Sequence, residues 1–194
     1  MSHNNLLIIP LALLNIGIMM SLSPSVLIKT PLGNITLELF IKQAPVTVSN
    51  FLNYVDKQLF DNSSIFRIVT DNNANQVEDE NAKINVIQAG LPPEHSSLLA
   101  GIPHESTEET GILHTDGTVS MARFEPGSAD GSFFFCVGNQ PELDFGGKRY
   151  PDGLGFAAFG QIIKGRNILD LIYQKAEKEE YLANQITITS ISRC

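Results

Sequence analysis

The chain has 194 residues, 43% of them hydrophobic and 18% charged, which is the composition of one globular domain with a well-buried core. Its net charge of −8 excludes a nucleic-acid-binding role, because no basic stripe is available to neutralise phosphates. Two cysteines, Cys136 and Cys194, make no disulfide framework, although the sequence leaves a single bridge between them open.

Residues 1–28 contain no Lys, Arg, Asp or Glu, and Leu6–Leu22 is an apolar run broken only by Pro10, Asn15, Gly17 and Ser21. With the small residues Ser21, Ser23 and Ser25 this reads as a signal peptide over residues 1–25, although Met1–Asn5 lacks a positive side chain. An uncleaved anchor through residues 6–22 is the alternative, although a span usually needs about 20 apolar residues. Both readings export the remainder, to the periplasm. A buried helix of a cytoplasmic protein is a third. No cysteine follows the run, so a lipid-modified cysteine anchor is unsupported. Residues 26–194 read as one domain.

Val26–Thr30 and Asn34–Phe40 read as a hairpin across the turn Pro31–Asn34. Ala44-Pro45 opens a helix whose Val48, Phe51, Leu52 and Val55 form one apolar stripe, suited to plug a barrel mouth. Ser63–Val69 is a strand. Asp71–Lys83 is polar and acidic and reads as a solvated loop. Ile84–Ala89 is a strand, and Leu91–Thr115 is a long irregular loop. Thr118–Ala122 and Phe133–Val137 flank a turn-rich loop and read as paired strands. Alternation sends Phe134 to one face and Phe133 with Phe135 to the other. One face fills a barrel; the other packs under a helix or meets a ligand. Phe156–Ile163 is a strand, Ile168, Leu169, Leu171 and Ile172 mark a second helix, and Ile186, Ile188 and Ile191 mark a last strand that returns to the first. The total is a mainly β fold, a closed eight-stranded antiparallel barrel capped by two α-helices. The acidic groups at Glu78–Glu80, Glu105–Glu109 and Glu177–Glu180 read as solvated.

The chain has no Gly-rich phosphate loop, G-x-S-x-G, C-x-x-C or H-E-x-x-H motif. His95, His104 and His114 lack ligand-type spacing and read as exposed loop residues, so no metal is assigned. Arg67 is the unusual residue. It stands between Phe66 and Ile68, and alternation points it off the opposite face of its strand. It is either a structural Arg paired to a carboxylate or a functional cation.

Several ordered segments resemble the cyclophilins, the peptidyl-prolyl cis/trans isomerases. They are Phe66-Arg67-Ile68-Val69, Gln88-Ala89-Gly90, Ser120-Met121-Ala122, Gly131-Ser132 with Phe134-Phe135, Leu143-Asp144 and Phe159-Gly160. The resemblance runs from about Val26 to the C-terminus. It implies a cyclophilin-like barrel in which Arg67 is catalytic and donates to the prolyl nitrogen. It also implies a proline pocket of Val86, Phe135, Leu143 and Phe156, with Phe66 and Phe133 beside it. Gln88 would hydrogen-bond the substrate backbone, and Ala122 and Arg123 would form the edge that pairs with the peptide. No cofactor or metal is required. The partners are proline-containing unfolded or extended polypeptides, and a monomer is expected.

Some positions depart from the family. Asn85 and Val86 stand where a pocket Phe is frequent, Phe133 replaces a second Gln, Glu142 replaces a Trp, and Phe156 replaces a His. Asp71–Lys83 corresponds to an insertion. These changes make the site more apolar and put binding of cyclosporin-type inhibitors in doubt. They also leave room for a non-catalytic proline-peptide-binding chaperone, or for a plain structural barrel. A buried ion pair locking Arg67, or Phe135 on the far side of the sheet from it, would overturn this account of the site.

Overall fold

The computed structural model describes residues 23–74 and 82–194, so the proposed leader and most of the acidic insertion lie outside the described residues. β1 (Ser25–Thr30) and β2 (Gly33–Leu39) form the expected hairpin, with Val26 opposite Leu37 and Ile28 opposite Ile35. Gly33 carries φ +136°, and a Cβ added there would sit 2.6 Å from Ile168 Cδ1, so the turn requires glycine. There follow β3 (Ser63–Val69), β4 (Val86–Gly90), β5 (Thr118–Met121), β6 (Ser132–Cys136) and β7 (Ala157–Lys164).

The expected last strand is two strands, β8 (Tyr181–Ile188) and β9 (Ser190–Arg193), which makes nine where eight were expected. They form one antiparallel sheet in the order β8-β3-β4-β6-β5-β7-β2-β1-β9. β8 pairs with β3 and β9 pairs with β1, so the sheet's two edges are consecutive pieces of chain. The step between them at Thr189, whose N–H donates to Lys29 O at 2.8 Å, brings those edges together.

Side chains from alternate positions fill the interior. Leu37, Leu39, Ile65, Ile87, Ala89, Val119, Met121, Phe133, Phe135 and Phe159 belong to one buried cluster. Helix α1 (Pro45–Asp56) lays Val48, Phe51, Leu52 and Val55 on it. The Phe51 ring stands 5.2 Å from Phe60, 5.2 Å from Phe133 and 5.1 Å from Phe159 between centroids. No side chain caps α1 from within. Instead, Glu105 accepts from Val46 N–H at 3.0 Å and Thr47 N–H at 2.8 Å, placing a carboxylate on the helix's unpaired first-turn donors. That acidic group is not simply solvated, as its composition suggested.

The loop read as irregular over Leu91–Thr115 holds a one-turn helix, α2 (Thr107–Thr110), with a capping box between Ser106 and Glu109. The S-x-x-E signature stood in the sequence. α3 (Arg166–Tyr173) buries Leu169 and Ile172 in the same core. Asp71–Lys83 is also not uniformly solvated. Asn73, Ala74 and Ala82 are buried, and Asn73 binds Thr70 N–H, Ile68 O and Glu177 O.

Phe51 tests where the core's weight lies. Phe51→Ala leaves a void among three aromatic rings and should cost about 3–5 kcal/mol in urea unfolding. A loss under about 1 kcal/mol would mean that α1 does not plug the barrel as described.

Candidate active site

The site lies on the outside of the barrel, over β8, β3, β4, β6 and β5. Ile65 and Ile68 both face the interior although they are three apart, which uninterrupted alternation forbids. A bulge between Ile65 and Arg67 resolves this: two residues of β3 stand opposite one of β4. Arg67 therefore does not point away from Phe66. Both lie against the Tyr181 ring, Phe66 at 6.4 Å between centroids and the Arg67 guanidinium at 5.5 Å. Register then sets Tyr181, Arg67, Gln88, Phe134 and Ser120 side by side across five strands.

A hydrogen-bonded row runs along this face. Arg67 Nε and Nη2 both donate to Glu180 Oε2, the first at 2.9 Å. Arg67 Nη1 donates to Gln88 Oε1 at 3.0 Å, and Gln88 Nε2 donates to Ser132 Oγ at 2.9 Å. A guanidinium has five N–H groups, so one on each terminal nitrogen stays uncommitted. The Arg67 side chain keeps 20% of its surface open to solvent, whereas that of Glu180 keeps 9%. Arg67 is thus paired to a carboxylate and still faces the groove. Glu180, read as part of a solvated acidic group, is in fact buried.

Beside the guanidinium lies a second apolar cluster, separate from the barrel core. It comprises Val69, Ala74, Ile84, Val86, Phe134, Cys136, Leu143 and Phe156, with Ala122 and Tyr150 against it. Phe134 and Phe156 meet edge to face at 5.6 Å. The groove they line measures about 840 Å³, within the range of small-ligand sites.

Behind Phe134 stands His114, which is buried rather than exposed. Its ring stacks on Phe134 at 6.0 Å. Burial pushes its pKa below the ordinary imidazole value despite the Asp144 carboxylate. The neutral ring donates from Nδ1 to Asp144 Oδ1 at 2.7 Å and accepts from Ser120 Oγ at Nε2, 2.9 Å away. Ser120 is wholly buried, so this Ser-His-Asp row is a prop under the pocket floor and has no access to a substrate.

Arg123 is immobilised. Nε and Nη2 donate to Gly155 O at 2.8 and 2.6 Å, and Nη1 and Nη2 form a two-pronged pair with Asp152 at 2.8 and 2.9 Å. The guanidinium lies over Tyr150 at 4.7 Å and Phe156 at 5.2 Å, and it holds the Asp152 carboxyl below the usual range. It braces the pocket wall. Its main chain, just past β5, is paired with nothing among the described residues, so an edge is open there.

Of the residues the sequence singled out, Arg67, Val86, Gln88, Ala122, Arg123, Leu143 and Phe156 line the groove. Phe135 and Phe133 do not: both fill the barrel interior, on the far side of the sheet from Arg67, and Arg67 is ion-paired to Glu180, so the site as read around Phe135 is overturned and has to be rebuilt around Phe134. Phe134 takes the pocket position. Ser132, not Phe133, faces Gln88. Phe66 stacks on Tyr181 without lining the groove. Asn85 is turned to Tyr173 and Asp71, and Glu142 folds back to Lys148 N–H. Glu180, Tyr181, Arg149 and Tyr150 were missed, and nothing local in sequence marks them. The two cysteines are free, and burial pushes the Cys136 thiol pKa up.

Comparison with known proteins agrees with this geometry. Residues 25–193 match the family described as cyclophilin type peptidyl-prolyl cis-trans isomerase. Peptidyl-prolyl cis-trans isomerase A of Dickeya dadantii is 30% identical over 153 residues, covering 78% of this chain and 72% of that protein. A peptidyl-prolyl cis-trans isomerase of Acinetobacter baylyi is 33% identical over 145 residues, covering 74% and 69%. A crystal structure of a cyclophilin type isomerase of Cryptosporidium parvum superposes with TM-score 0.69 at 20% identity, covering 89% of this chain and 98% of that one. The same protein in the presence of the dipeptide Ala-Pro gives TM-score 0.67, covering 87% and 97%. With a barrel of this topology, an arginine at the rim of an apolar notch and a family match across residues 25–193, the chain belongs to the cyclophilin-type peptidyl-prolyl cis-trans isomerases.

Proposed function

We propose that this groove takes proline-containing segments of unfolded or extended polypeptides and accelerates rotation about the X–Pro bond, with Arg67 donating to the prolyl nitrogen. The supporting observation is a guanidinium with two uncommitted N–H groups held beside a dry notch of Val86, Phe134, Leu143 and Phe156.

The physics suits these parts. Resonance gives the peptide C–N bond a rotation barrier of about 18–20 kcal/mol, and uncatalysed X–Pro isomerisation takes tens to hundreds of seconds. Twisting the bond localises the lone pair on nitrogen. A fixed donor aimed there favours the twisted state over the planar ones, and a poorly hydrated site strengthens the interaction. The Glu180 contact fixes the guanidinium plane. The apolar notch holds the pyrrolidine ring, Gln88 offers its amide to the neighbouring backbone, and the open main chain at Arg123 offers an edge for strand addition.

The chain is proposed to work after export, on the strength of the apolar run Leu6–Leu22, with a cleaved leader or a retained tether as the two forms. It is proposed to act as a monomer, for which a net charge of −8 is favourable.

Arg67→Ala should lower kcat/KM in a coupled proline-isomerisation assay by roughly 100-fold, as loss of one preorganised donor does elsewhere. An unchanged rate would remove Arg67 from the mechanism. Phe134→Ala should weaken proline-peptide turnover by about tenfold or more, since a buried aromatic contact is lost. Phe135→Ala should instead lower stability by about 3–5 kcal/mol while the folded fraction keeps its activity. The opposite pattern would reverse the face assignment. N-terminal sequencing after cell fractionation should find a start near Ser23–Val26 in the periplasm, or an intact N-terminus in the membrane. An intact Met1 in the soluble cytoplasmic fraction would overturn export.

A further inference from the structure

One arginine of the groove has no carboxylate paired to it among the described residues. Arg67, Arg123, Lys148 and Arg149 line the groove, together with the acidic residues Glu94 and Asp130. Arg123 is matched by Asp152 and Arg67 by Glu180. Arg149, half-buried at the groove wall beside Tyr150, forms no ion pair among the described residues. Its guanidinium makes one long contact, from Nη1 to Ala82 O at 3.5 Å. Such a distance is at the limit of a hydrogen bond and leaves the fork of donors essentially unused. Burial, and after it the nearby charge of Arg67, push its pKa down, with Glu180 opposing. A partly desolvated cation beside another is costly unless an anion joins them.

We infer that Arg149 is a specificity determinant, which receives the carboxylate of an Asp or Glu adjacent to the proline of a bound peptide. The inference rests on the isomerase reading and names its preferred substrate class. Arg149 and Arg67 line the same groove, and Arg67 stands at the prolyl nitrogen in that reading, so a carboxylate on Arg149 lies near the reacting bond. A planar guanidinium suits a carboxylate in two-pronged contact, a geometry a lysine cannot offer. The Arg67–Glu180 pair does not meet this demand: both of its bonds end on Oε2, and Oε1 has no hydrogen-bond partner, so Arg149 does not bond it.

The test uses blocked peptides that differ only at the residues flanking proline, with Glu, Gln or Lys immediately before it or immediately after it. Blocking both ends separates a side-chain carboxylate from a chain terminus. At low salt, kcat/KM for the best Glu peptide should exceed that of its Gln counterpart by about tenfold, the size of a charge-assisted bond in a partly buried site. The preference should shrink with added salt. In Arg149→Met the Glu-to-Gln ratio should fall to about one, and in Arg149→Glu the Lys peptide should become the better substrate. The reversal is a gain that misfolding cannot imitate. Equal rates on Glu and Gln peptides by an active wild-type protein would overturn the inference, as would an acidic preference that survives both substitutions. If no peptide is turned over but labelled Glu peptides bind more tightly than Gln peptides, and Arg149→Met abolishes the difference, the isomerase reading fails and the carboxylate site stands.

Discussion

The site depends on one extra residue in β3. Without the bulge between Ile65 and Arg67, alternation could not put both Ile65 and Ile68 in the barrel while turning Arg67 outward. An arginine forced inward would meet Phe133, Phe135 and Phe159 with no partner for its charge, which the interior does not tolerate. The bulge re-aims it to the outer face, into register with Gln88, and brings Phe66 beside it against Tyr181. The outward cation is thus a product of packing: two isoleucines claim the inside and the arginine is expelled to the rim.

The same sheet serves two apolar clusters, and β6 shows how. Its five residues are all buried, yet they alternate between them. Phe133 and Phe135 anchor the barrel, where aromatic rings meet at 5.2 to 5.6 Å. Ser132, Phe134 and Cys136 face outward, where Leu143, Phe156 and the immobilised Arg123 cover them. The pocket floor is firm because it is the other side of the core. His114, held neutral between Asp144 and Ser120, props Phe134 from beneath. A buried polar row of this kind is fully satisfied, which makes it a rigid support.

How far the site was legible in sequence follows from these two features. The barrel, its strands and both long helices followed from alternation, the Val48–Val55 stripe and the turn residues, and seven of the 22 groove-lining residues were named. The three consecutive phenylalanines were the failure. A run of Phe133, Phe134 and Phe135 is equally apolar in either phase, so composition cannot say which ring enters the barrel. The choice is made by register: Gln88 stands opposite Phe134 and Ala89 opposite Phe133. Gln88 belongs outside with Arg67, so Phe134 follows it there. Phe66 was misjudged for the companion reason, since a bulge leaves no mark in hydropathy. Glu180 lies 113 residues from Arg67, and its acidic neighbours suggested a solvated turn. His114 looked like any loop histidine until Asp144 came from 30 residues away to bind it.

The ion pair at Arg67 is where a structural and a catalytic role could be expected to conflict. They do not, because the two demands fall on different hydrogens. Glu180 takes Nε–H and one N–H of Nη2, and Gln88 takes one N–H of Nη1. What remains points from the two terminal nitrogens, with its plane already fixed, so little rotational freedom is left to lose when a substrate arrives. The cost is electrostatic: a carboxylate close to the guanidinium weakens the field felt at the prolyl nitrogen. Arg149, which forms no ion pair among the described residues, offsets part of that loss in the proposed reading, since a second cation on the same groove returns positive potential to it. In that reading the groove holds two kinds of guanidinium, one fixed by its own carboxylate as a rigid donor and one without an ion pair among the described residues. The second is the one that a proline-flanking carboxylate would meet.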